Sequence, residues 1–162
     1  MSSWDSRVQV IKGKYGEEIV RKHFEDLGWI VYEPKTDGPH AFDKLCVKDK
    51  EHIIIIEVKT KASMNNWYAT GFNIRQFNEY INIVDKYKIE MVVFFVDEKL
   101  KKIYGNNLSV LRKPYEASDG IYPWYLNNRQ ILFSVECMET IRILSDEDVT
   151  FLKDHSTRNY GY

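Results

Sequence analysis

Asp43, Glu57 and Lys59 are the residues of this chain whose types and spacing point first to chemistry. In a strand, side chains two apart share a face, so Ile53, Ile55, Glu57 and Lys59 form one row that turns from apolar to charged at its end. Asp43 shares a face with Leu45 and Val47 on the preceding segment, which places a second carboxylate beside Glu57. Glu17 falls in a helical series with Val20, Phe24 and Leu27 at steps of three, four and three, on the side expected to face a sheet. Glu18 falls instead with Arg21, Lys22 and Glu25 on the wet side. Three acids and one lysine at the edge of a core are costly unless a cation joins them, because burial and like charge both oppose ionisation. A hard divalent ion fits: Mg²⁺ takes one or two carboxylates, waters and a substrate phosphate. As scaffolding, the same residues would be an ion-pair group at strand ends, and an isolated Glu-x-Lys is common.

The elements that must position these residues are readable. A helix is expected over Lys14–Leu27, stopped by Gly28. Strands follow at Trp29–Tyr32 and Ala41–Val47, separated by the loop Pro34–Pro39. The polar turn Lys48–Glu51 then makes a hairpin with His52–Lys59, whose four consecutive isoleucines mark a strand buried on both faces. Asn73 is placed to cap a helix ending near Tyr87, with Gln76 at the third position of a capping box. Met91–Val96 is another buried strand, able to lie parallel to the third. Beyond residue 98 the signals weaken, to short strands near Lys102–Tyr104, Gly120–Tyr125 and Gln130–Val135. A last helix starts at Ser145, with acids in its first turn. The expectation is one α/β domain over residues 1–162, with a core of helix, three strands, helix and strand around a central mixed sheet. Residues 97–162 form an extension of short strands and a helix.

Gly16-Glu17 with Val20, Phe24, Leu27, Gly28 and Trp29, then Phe42-Asp43, then Ile54-Ile-Ile-Glu57-Val-Lys59-Thr-Lys61, resembles the PD-(D/E)XK nuclease superfamily and its restriction-endonuclease-like fold. The resemblance covers about residues 13–96 and is nearest to the branch of Holliday junction resolvases and RecB-type nuclease domains. It implies that Asp43 and Glu57 ligate Mg²⁺, for which Mn²⁺ substitutes, with the Val58 carbonyl as a further ligand. It also implies that Lys59 orients or deprotonates the attacking water and that Glu17 supports the metal site. Gln76 and Tyr80 fit the Gln-x-x-x-Tyr motif of the RecB-like branch, on one helix face within reach of the reacting phosphate. The other reading of that pair is a capping residue and a core tyrosine. Phe42 stands where the superfamily name has proline, and the cysteines of iron-sulfur relatives are absent.

The function expected is Mg²⁺-dependent hydrolysis of nucleic acid, DNA before RNA, by an endonuclease directed to junctions or other structures in repair or recombination. The alternatives are an inactive binding protein of the same fold and an RNA-directed enzyme. The 162 residues include 14% aromatic and 44% hydrophobic side chains, which rules out a disordered chain. Two cysteines, Cys46 and Cys137, cannot make a zinc ribbon. No apolar run approaches the ~20 residues of a membrane span, and the opening Met-Ser-Ser-Trp-Asp-Ser-Arg lacks a secretory pattern, so a cytoplasmic protein is expected. Net charge is only −1. Residues 99–115 nevertheless hold five basic side chains and no acid, making Lys101 and Lys102, with Lys61 and His40 nearer the acids, the expected phosphate contacts. A homodimer is the assembly left open.

Overall fold

The computed structural model describes residues 7–35, 41–65, 68–117 and 129–157. Helix α1 spans Val8–Asp26 and leads through Gly28, at φ +82°, into strand β1 (Ile30–Tyr32). Strands β2 (Lys44–Val47) and β3 (Ile53–Thr60) form the expected hairpin. Asp49 closes its turn, accepting the backbone N–H groups of Glu51 and His52 at 2.8 and 3.0 Å. Strand β4 (Ala69–Asn73) precedes helix α2 (Ile74–Tyr87), and β5 (Glu90–Asp97) turns into β6 (Lys102–Asn107). Short helices α3 (Leu108–Leu111) and α4 (Lys113–Ala117) follow, then β7 (Gln130–Ser134), β8 (Glu139–Ile143) and α5 (Asp146–Asp154).

Six strands form one mixed sheet in the order β1-β2-β3-β5-β6-β8, in which only β3 and β5 are parallel. Helices α1 and α5 cover one face, where Ile19, Val20 and Phe24 meet Ile56, Val58, Phe94 and Leu152. The other face is covered by α2, α3 and a separate β4–β7 ribbon, packing Phe72, Phe77, Tyr80 and Phe133 on Ile55, Val93, Phe95 and Tyr104. Strand β3 is thus apolar on both sides, as its isoleucine run requires. Among the described residues no helix is long and apolar enough to cross a membrane.

Several expectations shift. The buried stripe of α1 is Lys12, Gly16, Ile19, Val20 and Phe24, while Leu27 is exposed, so Glu17 lies on the flank of that stripe. Gly16 is required there, since a Cβ would come within 2.0 Å of the Thr60 hydroxyl on β3. The second strand begins at Lys44, which leaves Asp43 in the bend before it. Asn73 does cap α2, accepting from Arg75 N at 2.8 Å, but it forms no capping box with Gln76. The Ser145–Asp148 pair on α5 does form one. The sequence gives no sign of strands β4 and β8, and the short strand expected at Gly120–Tyr125 lies outside the described residues.

Candidate active site

The pairing of β2 with β3 ends at Lys44 and Ile56. Beyond it, the N–H of Val58 is taken by a side chain: Asp43 Oδ2 accepts it at 2.7 Å. The Val58 carbonyl leaves the strand on that same edge, so Asp43 and one backbone oxygen stand together where the ladder stops. One residue earlier on the strand, Glu57 points to the α2 side. It is 4% exposed, and its Oε1 accepts from Lys59 Nζ and from the Tyr80 hydroxyl, each at 2.6 Å. Lys59 Nζ also lies 3.3 Å from both Gln76 Oε1 and the Tyr80 oxygen, and 5.4 Å from the Phe72 ring centroid. Gln76 is therefore free of capping duty and belongs to the lysine's surroundings.

Burial, and after it the charge of Glu17, raises the Asp43 carboxyl above its usual range, against the opposing Val58 N–H and Lys59. Glu57 is raised by burial first and by Asp43 second, with Lys59 and Tyr80 opposing. The Tyr80 phenol is pushed well up, by burial and then by Glu57. Two carboxylates that disfavour each other's charge in a nearly dry site, with a carbonyl beside them, form an all-oxygen donor set that suits a hard divalent cation. Among the described residues, no three His, Cys, Asp or Glu side chains are gathered closely enough to hold a metal by themselves. Glu17 is near enough for its charge to raise Asp43, while its own side chain is 36% exposed and lies 4.0 Å from Lys44 Nζ.

Lys44 adjoins Asp43 in sequence, and its burial is what the sequence did not announce. It is 1% exposed and bonds Glu33 at 2.5 Å on the α1 side, so it is unavailable to a phosphate. The available signal was its alternation with buried Cys46 on one strand face. Other expected contacts disperse. Lys61 Nζ donates to the Gly71 carbonyl at 2.6 Å. Lys101, at φ +54°, is exposed and 3.9 Å from Asp146 at α5. Lys102 turns the other way, 3.3 Å from the Tyr68 hydroxyl and over the Tyr68 and Tyr104 rings. His40 lies outside the described residues.

No family model and no characterised protein matches the chain. Among solved structures it is similar to Hjc, a Holliday junction resolvase from the archaeal hyperthermophile Archaeoglobus fulgidus. The TM-score is 0.56 over 80% of this chain and 92% of that one, at 10% sequence identity. At that identity the likeness is one of fold, and the mixed six-stranded sheet with its flanking helices is of the restriction-endonuclease-like type.

Proposed function

We propose that this protein is a divalent-metal-dependent nuclease that hydrolyses phosphodiester bonds of DNA, as an endonuclease directed to branched or otherwise structured substrates. The observation that carries this reading is the arrangement at the end of β3: Lys59 Nζ is 2.6 Å from Glu57, beside an Asp43 anchored on the Val58 N–H. The similar fold of a junction resolvase supports the substrate class.

Asp43, Glu57 and the Val58 carbonyl would hold Mg²⁺ or Mn²⁺, with Glu17 in support from α1. Such an ion, when bound, polarises the phosphate and lowers the pKa of a bound water. Lys59 then has two tasks, orienting the attacking water and placing positive charge where the pentavalent phosphorus becomes most anionic. Gln76 and Tyr80 hold its ammonium in place, and with 16% of its side chain exposed it can still meet a substrate. The water oxygen bonds phosphorus, its proton passing to solvent, as the bond to the leaving oxygen breaks and that oxygen takes a proton from solvent; no covalent enzyme intermediate is required.

The test is incubation of purified protein with linear, circular, single-stranded and branched DNA, and with RNA, in Mg²⁺, Mn²⁺ or EDTA. Metal-dependent cutting of branched DNA, lost in Asp43→Asn, is the expected result. Cutting of RNA alone would make it an RNA-directed enzyme, and DNA binding without cutting under any metal would make it a non-catalytic member of the fold.

A further inference from the structure

On the α1 side of the same strand end lies a second concave site that hydrolysis does not use. Thr60, directly after Lys59, is turned to α1, with its hydroxyl 3.5 Å from the Gly13 carbonyl. Beside it opens a cavity of about 280 Å³ lined by Gln9, Lys12, Thr60, Glu98, His155 and Ser156 among others. Lys12 and Glu98 are 7% and 0% exposed and form an ion pair at 2.5 Å, with Lys12 Nζ 3.5 Å from Ser156 Oγ. A buried ion pair is an expensive way to join two elements, since apolar residues of the same volume serve stability as well or better.

Three rings run up to the same cavity. Tyr15 stacks on Phe151 with centroids 4.0 Å apart, and Phe151 on His155 at 4.1 Å. The Tyr15 hydroxyl donates to Asp148 at 2.9 Å, which ties the stack to α5. His155 ends the stack and is the ring of the three that lines the cavity. Its Nδ1 lies 2.8 Å from the Phe151 carbonyl, and because a carbonyl only accepts, that nitrogen carries the proton.

We propose that this cavity receives one unpaired nucleobase of the substrate strand, stacked on His155 with its polar edge towards Lys12 and Ser156. This rests on the nuclease reading of the neighbouring site. Lys12 and Glu98 cancel in charge, and Lys61, the other cation of the lining, donates to the Gly71 carbonyl, which gives a phosphate little reason to enter, whereas the Lys12 ammonium and the half-buried Ser156 hydroxyl, 3.5 Å apart, set a donor beside an oxygen able to accept and so match a base edge. A flat base also extends a stack of rings already present. The volume is at the small end of ligand pockets and has room for one base, with none for a base pair. A base stacked within a duplex cannot reach it. The substrate class is therefore DNA with unpaired nucleotides next to the scissile phosphate, as in a splayed arm, flap or open junction.

The test is binding of the full chain in Ca²⁺, to hold turnover off, measured by anisotropy on splayed-arm DNA with a single abasic site at each of the first unpaired positions in turn. One position should weaken binding about tenfold, the size of one lost stack. His155→Ala should lose as much on intact DNA and nothing further on that abasic DNA, while His155→Phe keeps wild-type affinity. No abasic penalty at any position, or the same penalty in wild type and His155→Ala, overturns the proposal. Should the alanine variant misfold, 2-aminopurine at the sensitive position reads the wild type directly: quenching on binding supports stacking, and unchanged or brighter emission overturns it. Failure to cut any DNA in Mg²⁺ with the abasic penalty intact removes the nuclease reading and leaves the base site; cutting with no penalty does the reverse.

Discussion

Asp43 and Glu57 give the metal-free protein a pH dependence of definite sign. Both carboxyls are raised in the folded state, whereas in the unfolded chain they ionise near the ordinary values of about 3.9 and 4.3. Between the ordinary and the raised value the native state keeps a proton that the unfolded chain has lost, so stability falls as pH rises through that window and the penalty is complete above it. Asp43→Asn should thus raise the metal-free Tm at pH 8, by about 2–4 °C for each kcal/mol removed, and the advantage should shrink as pH is lowered towards 4. Mn²⁺ should raise the Tm of wild type, by the equivalent of about 2.7 kcal/mol at a hundred times Kd, and not that of the variant. Equal metal responses in a thermal scan would count against the site. Lys59→Ala should slow cleavage by about 10²- to 10⁴-fold while the Mn²⁺ shift in Tm survives, because Lys59 is no ligand. Full activity in that variant would remove the lysine from the mechanism.

The contact of α1 with β3 runs through Gly16, where intrinsic propensity and packing disagree. Alanine is favoured over glycine in a helix by about 1 kcal/mol, yet its Cβ would meet Thr60 Oγ1 at 2.0 Å and Thr60 Cγ2 at 2.8 Å. Overpacking of that kind costs about 1–3 kcal/mol, so Gly16→Ala should lower Tm and, by moving the adjoining Glu17, reduce cleavage as well. A higher Tm would show that the helix slides freely over the sheet. This contact also explains which elements were legible in the sequence. The isoleucine run announced β3, and strict alternation along it put Glu57 and Lys59 on one face, as found. The helix phase of α1 was misplaced because Lys12 reads as polar, and the partner that buries it, Glu98, is 86 positions away. Strand β4, Ala69-Thr-Gly-Phe-Asn73, has neither an apolar run nor an alternation. It exists through its pairing with β7, where Gly71 lets the Ile131 carbonyl approach to 1.9 Å of a would-be Cβ.

For the whole molecule, a net charge of −1 leaves phosphate affinity to local groups, and the fold separates two lysines that adjoin in sequence. Lys102 turns to the α2 side with Tyr68 and Tyr104, and Lys101 to α5. Neutralising Lys102 should weaken duplex binding across sequences and flatten the log K against log salt slope by about 0.9; Lys101→Ala should leave the slope near wild type. Identical slopes in both variants would make the basic stretch a solvated turn. The single parallel pairing, β3 with β5, joins two antiparallel halves, β1-β2-β3 and β5-β6-β8. The β2–β3 and β5–β6 hairpins close over short loops, whereas the parallel seam must wait for the long crossover through β4 and α2, and such non-local pairing forms late. Asp43, Glu57 and Lys59 all belong to one hairpin, and Phe72, Gln76 and Tyr80 arrive with the crossover. That order would bring the acids together while water still screens their repulsion and bury them afterwards. The repulsion is felt on the native side of the folding barrier, so removing it with Asp43→Asn should slow unfolding and leave the folding rate almost unchanged.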